Sequence, residues 1–156
     1  MLTDTQKQTL ANALRAETNQ TVVDALAIRN DVALAEWTNA NSTADAWNNS
    51  MDARSLFQAM DITKYDNLTA GKRDAWRCML DYAPHDMAKN ANRKAALDIW
   101  GAADSVAVLQ SCVRKATKGE NYLGGTSATT NTVTALKLNF SGYIPIQEVS
   151  ESLNRF

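Results

Sequence analysis

The chain has 156 residues, 45 % of them apolar and 21 % charged, with a net charge of −1. That length fits one domain able to bury a sizeable core without staples, and the balance of apolar and charged residues excludes global disorder. Near-neutrality argues against a dedicated nucleic-acid binder, which carries a clear basic excess.

The charge is unevenly spread. Between Lys72 and Lys118 the local balance is +4, which leaves −5 for the remainder. Such a split suits copies that meet head to tail through unlike faces, although solvated helix faces also explain it. The start, Met1-Leu2-Thr3-Asp4, has neither a basic nor an apolar leader region, so no secretory signal is expected. No apolar run approaches the ~20 residues that cross a bilayer. Cys78 and Cys112 do not make a disulfide framework and suit a reducing compartment. Asn-x-Ser/Thr triplets at Asn19, Asn41, Asn48, Asn67 and Asn139 then reflect composition, not glycosylation.

Thr3-x-x-Gln6 has capping-box spacing and starts a helix to about Thr18, with Leu10, Ala13 and Leu14 on one stripe. A short helix carries Val22, Val23 and Leu26. Asn30 and Asp31 cap a further piece, Val32 to Trp37. From Thr38 to Ser50 the chain is rich in Asn, Ser and Thr, whose side chains compete for backbone hydrogen bonds, so a loop is expected. Ser50 is the expected N-cap for Met51 to Met60, and Asp61 caps one turn ending near Tyr65. Thr69 starts the strongest helical stretch, in which Trp76, Met79 and Leu80 face inward.

Pro84 suits the first turn of the next helix, because its missing N–H has no partner there anyway. That helix is expected to run to Trp100, with Met87, Ala91, Ala95 and Ile99 inward and Gly101 as its stop. Asp104 or Ser105 opens another, bearing Val106, Leu109, Cys112 and Val113. The segment 124–132 has no apolar residue larger than Ala and is expected to be a mobile loop. Leu136, Leu138 and Phe140 then alternate with Lys137, Asn139 and Ser141, the period of a half-buried strand. Its expected partner is the stretch from Lys118 to Leu123. After Pro145, the residues Ile146, Val149 and Leu153 trace one face of a terminal helix ending at Phe156. The fold class is therefore mainly α: a helical bundle over 1–117, a β-hairpin arm with a flexible Gly/Thr loop over 118–144, and a C-terminal tail helix over 145–156.

No set of groups with matched pKa converges in sequence. The one histidine, His85, stands beside Asp86 with no nucleophile or metal partner nearby. Cys78 and Cys112 lack zinc-ligand spacing. Lys118-Gly-Glu-Asn-Tyr-Leu-Gly-Gly125 lacks the closing Gly-Lys-Ser/Thr of a phosphate-binding loop. Catalytic, metal and cofactor residues are accordingly expected to be none. Arg73, Arg77, Arg93 and Lys94, followed by Arg114 and Lys115, offer a basic set for DNA or a neighbouring subunit; the plainer reading puts Trp76 in the core and the cations in water. Four tryptophans, Trp37, Trp47, Trp76 and Trp100, are expected to be mostly core anchors.

Three segments carry a likeness to a known family. They are Asn67-Leu-Thr-Ala-Gly-Lys-Arg-Asp-Ala-Trp-Arg-Cys-Met-Leu80, Asn90-Ala-Asn-Arg-Lys-Ala-Ala-Leu-Asp-Ile-Trp-Gly101, and 112–125 with the strand 133–143 behind it. In this order they resemble small tailed-bacteriophage proteins encoded with the head and tail genes, the head-to-tail connector or neck proteins. The resemblance covers roughly residues 50–156. It implies a non-enzymatic virion protein of the neck, made in the host cytoplasm, with no membrane. Its partners would be the portal, a downstream neck or tail protein, and further copies of itself in a dodecameric ring that passes double-stranded DNA without sequence readout.

On this reading the interaction residues are Leu136, Leu138, Phe140, Tyr143, Ile146, Val149, Leu153 and Phe156, and loss of Ser152–Phe156 is expected to spare the fold while weakening assembly. Two alternatives stand beside the adaptor. One is a stopper or tail terminator of the same neck, which resembles β-barrel or α/β folds. The other is a small helical nucleic-acid-binding regulator using the basic set.

Overall fold

The computed structural model describes residues 1–156. The chain is mostly helical, with nine helices, a four-stranded mixed sheet and a C-terminal helix. In chain order these are α1 (Asp4–Ala16), α2 (Gln20–Ala27), α3 (Asp31–Asn39), β1 (Asn41–Trp47), α4 (Ala53–Ala59), α5 (Ile62–Asp66), α6 (Ala70–Asp81), α7 (Asn90–Ser111), β2 (Val113–Thr117), α8 (Lys118–Tyr122), β3 (Gly125–Thr130), β4 (Val133–Leu138) and α9 (Ile146–Arg155).

The Asn, Asp and Thr content does its local work at helix starts. Thr3, Asn19, Asn30, Asp52, Asp61, Thr69 and Thr117 each accept a backbone N–H of the helix that follows. Each such cap contributes about 1 kcal/mol. Thr3 and Gln6 close the expected capping box.

Five local expectations are corrected. Residues 41–47 are strand, not loop: β1 has β2 on one side and β4 on the other, so its backbone groups are satisfied by neighbours distant in sequence. Helix α4 begins after Asp52, not Ser50, because Met51 is buried and exchanges backbone hydrogen bonds with His85 (2.8 and 2.9 Å). Pro84 lies in the connector that carries this bridge, in a cis bond to Ala83, and α7 starts only at Asn90. Residues 118–122 form helix α8, since Thr117 and Glu120 close a second capping box. The Gly/Thr segment is itself strand β3, so the hairpin is β3–β4.

Gly101 interrupts α7 at φ 78°, in the left-handed region that a side chain disfavours, which is the expected break. The inward face of α7 is Arg93, Ala96, Ile99 and Trp100; Ala91 is exposed and Ala95 half-buried.

The sheet order is β2-β1-β4-β3. β1 and β4 run parallel, with Ala46 paired to Leu136. β3 and β4 are joined through Asn131-Thr132, where Asn131 adopts φ 55°. The Asn139 N–H donates to the Gly124 carbonyl (3.0 Å), and the Thr129 and Thr134 hydroxyls meet across the strands at 2.8 Å. By the alternation of an antiparallel ladder, Gly124, Thr126 and Ala128 turn their backbone groups toward β4, while Gly125, Ser127 and Thr129 turn theirs away.

The chain forms two compact units, each made of segments distant in sequence. The first comprises residues 1–44, 115–125 and 138–156. Its core is Leu10, Leu14, Val22, Leu34, Leu123, Ile144, Val149 and Leu153. α9 packs on α1. Lys7 is buried between Glu148 (3.4 Å) and Glu151, and Arg15 donates to the Leu153 carbonyl (2.9 Å). The Asn39 amide both donates to and accepts from the backbone of Ile144, at 2.8 Å each way.

The second unit comprises residues 45–114 and 126–137. Its core is built on Trp47, Met51, Leu56, Trp76, Met87, Trp100, Leu109 and Cys112. Trp76 and Trp100 meet edge to face, with ring centres 5.2 Å apart, a geometry favoured by the ring quadrupoles.

Two outcomes follow from this packing. A Cβ at Gly119 would lie 2.5 Å from Thr38 Cγ2 and 2.6 Å from Ile144 Cδ1. Gly119→Ala is therefore expected to lower stability by about 1–3 kcal/mol in urea unfolding; an unchanged midpoint would contradict the packing. Leu153 and Ser152 are buried, so removing Ser152–Phe156 is expected to lower the thermal midpoint, contrary to the expectation that the tail is dispensable for folding. A truncated chain that melts with the full one would show the α9 contacts to be idle.

Candidate functional site

The eight residues expected to meet partners divide by burial. Val149 and Leu153 are core residues of the first unit, so the apolar face of α9 is spent in cis. Leu136, Leu138, Phe140 and Ile146 are half-buried, while Tyr143 and Phe156 are exposed. The fully buried residues of β4 are Val133 and Ala135, on the face opposite the expected Leu136 and Leu138.

The basic set does not act together. Arg93 is only 3 % exposed. Its guanidinium donates to the Met87 and Ala88 carbonyls (2.7 and 2.8 Å) and to the Thr130 hydroxyl (2.8 Å), and it stacks 4.8 Å from the centre of the Trp47 ring. Burial lowers its pKa. Arg93 is thus a clasp inside the second unit and is withdrawn from any DNA-facing role. Arg73 donates to the Asp66 carbonyl (3.0 Å) and Arg77 pairs with Asp74 at 3.5 Å. Lys94 is exposed, Arg114 is half-buried in β2, and Lys115 donates to the Thr43 carbonyl (3.3 Å). Trp76 faces the core, as the plainer reading had it.

His85 is held by its Nε2 against the Met79 carbonyl (2.6 Å) and by its backbone against Met51. Cys78 is exposed; Cys112 is buried, and burial pushes its thiol up to about 11. A thiol so shifted is protonated at neutral pH and is a poor nucleophile.

Sequence reasoning missed a polar–aromatic cleft in the first unit, of about 340 Å³. The Trp37 indole N–H donates to the Tyr122 hydroxyl (3.1 Å), which donates to Glu17 Oε2 (2.6 Å). The Lys118 ammonium sits 2.8 Å above the Trp37 ring. Asn41, Ser42, Thr43 and Asn121 line the rest. The bond from Tyr122 holds the Glu17 carboxyl below its ordinary value of 4.5, and the Thr18 and Asn19 N–H groups and Lys118 add to this. Burial, followed by the bond to Glu17, raises Tyr122. The Thr117-x-x-Glu120 capping box, which turns 118–122 into helix, was the one sequence signal that places Lys118 and Tyr122 together on α8.

Large exposed apolar side chains form a separate feature. In the first unit they include Val23, Ile28 (74 % exposed) and Val32, carried by α2, its C-cap and α3. In the second they include Phe57, Ile62 and Tyr82 (80 % exposed). No helix is long and apolar enough to cross a membrane. Compared with protein-family models, curated proteins and solved structures, the chain matches none.

The cleft sets a pH outcome. A depressed carboxyl contributes stability above its unfolded value, and that contribution is lost as pH falls through the lower folded value. Tyr122→Phe is expected to bring the Glu17 titration, followed by NMR, back toward 4.5 and to reduce the acid loss of stability in that window. Equal Glu17 midpoints in the two proteins would contradict the hydrogen-bond account.

Proposed function

We propose that this chain is a structural protein of the tailed-bacteriophage neck, an adaptor that forms a ring between portal and tail around the DNA channel. The observation that carries the reading is that each compact unit exposes its own set of large apolar side chains: Val23, Ile28 and Val32 in one, Phe57, Ile62 and Tyr82 in the other. A ring closed by rotation uses heterologous contacts and needs two different surfaces on every copy. Exposed apolar groups of this size are the ordinary material of such contacts.

Charge supports the reading in a weaker form than the linear sequence suggests. The first unit carries six Lys/Arg against eight Asp/Glu, and the second ten against nine. The −5/+4 split along the chain thus shrinks to −2 and +1 when the segments are gathered by folding. Near-neutral surfaces suit a channel that passes duplex DNA without gripping it, because phosphate contacts scale with available cations. The mostly helical fold favours an adaptor over a stopper or tail terminator. Withdrawal of Arg93 into the core weakens the reading as a nucleic-acid regulator.

The proposal predicts a ring-sized mass in light scattering at micromolar concentration and co-sedimentation with purified portal. Ile28→Asp or Tyr82→Ser, both at exposed positions, is expected to reduce the assembled fraction severalfold while leaving the circular dichroism spectrum unchanged. A chain that stays monomeric with portal present, and is missing from virions, would overturn it.

A further inference from the structure

One cation of the first unit is placed unlike the others. Lys7, Arg29 and Arg155 each face a carboxylate. The Lys118 ammonium instead lies over the Trp37 ring, 2.8 Å from its centre. A ring face engages the charge but takes no more than one of the three N–H donors. The carboxylate that shares the cleft is already served. Glu17 Oε1 accepts from the Thr18 and Asn19 N–H groups (3.0 and 3.4 Å), and Oε2 accepts from the Tyr122 hydroxyl (2.6 Å). Further polar groups stand round Lys118. Asn121 and Tyr122 follow it by three and four residues and share its side of α8. Asn41 and Thr43, two apart on β1, share a strand face. The Asn41 and Asn121 amides and the Thr43 hydroxyl are exposed in the same cleft. The Trp37 and Tyr122 rings, tied by their 3.1 Å hydrogen bond, form its apolar wall.

We infer that this cleft binds a small phosphate monoester, with the phosphoryl group on Lys118 and the organic body against the Trp37 and Tyr122 rings. An anion is the complement of a site whose unfilled groups are headed by an ammonium and joined by amides and a hydroxyl. Planar carboxylates are matched by an arginine fork, and the cleft has none; lysine is a point charge that suits a phosphoryl group. A monoester brings three acceptor oxygens and nearly two negative charges at neutral pH, enough to engage Lys118, the amides and the hydroxyl together. The three donors on Glu17 offset its charge, which lessens its repulsion of a bound anion. The volume of about 340 Å³ admits a phosphoryl group with one ring attached. This site lies outside the neck reading and stands or falls without it.

The test is an NMR titration of the nitrogen-labelled full chain with phenyl phosphate at millimolar concentration. The Trp37 indole N–H and the amides of Lys118 to Tyr122 are expected to shift to saturation. The indole N–H groups of Trp47, Trp76 and Trp100 in the second unit are expected to stay in place, and they report in every variant that the fold is kept. Lys118→Gln is expected to weaken binding about tenfold, and Lys118→Arg, which keeps the charge, by no more than about threefold. Absence of a saturable shift at Trp37, or an unchanged affinity in Lys118→Gln, would overturn the site. Benzoate binding as tightly as phenyl phosphate would overturn the phosphoryl assignment. Inorganic phosphate or a short DNA duplex binding there as tightly would overturn the monoester.

Discussion

β1 is the constraint on which the rest of the structure turns. Its sequence, Asn41-Ser-Thr-Ala-Asp-Ala-Trp47, has little strand character of its own, and only Ala46 and Trp47 are buried. It becomes a strand because β2 and β4, which follow far along the chain, satisfy its backbone on both sides. Such pairing closes long loops before it gains anything, so its cost is met only together with the packing of Trp47 in the core of the second unit. The pairing of Ala46 with Leu136 accordingly goes together with the Trp47 indole N–H donating to the Ala128 carbonyl at 3.0 Å, and with Arg93 stacking on the same ring. One short stretch therefore ties the sheet to the aromatic core of the second unit.

What the sequence made legible was local chemistry. Thr3, Asn30, Asp61 and Thr69 start helices where their side chains say they should, because a cap needs only its own first turn. The C-terminal helix was legible from its apolar stripe, Ile146, Val149 and Leu153, and the break at Gly101 from the glycine itself, which takes φ 78°. β1 was not, since its partners lie some seventy and ninety residues away and no pattern within 41–47 announces them. α8 was legible in principle: Thr117-x-x-Glu120 is the same signal as Thr3-x-x-Gln6, and the glycines that follow distracted from it.

The expected interaction and basic residues fared according to burial. A charge at position 93 reads as surface, yet Arg93, Ala96 and Trp100 share one helix face, and the guanidinium is accepted there because two carbonyls, a hydroxyl and an indole ring replace its water. Val149 and Leu153 were visible as an apolar stripe, but a stripe does not say which surface covers it. The structure covers it with α1 of the same chain. The exposed Ile28 and Tyr82 carry the interaction argument in its place. They had no periodic signature, because each stands at the C-terminal cap of its helix, outside the periodic stripe.

Amide hydrogen exchange of the isolated chain tests the central role of β1 most directly. The account predicts that the amides of Ala46 and Trp47, the buried end of β1, exchange among the slowest in the protein, at the rate of global unfolding. Exchange of these amides at the rate of an open Asn/Ser/Thr loop would contradict it.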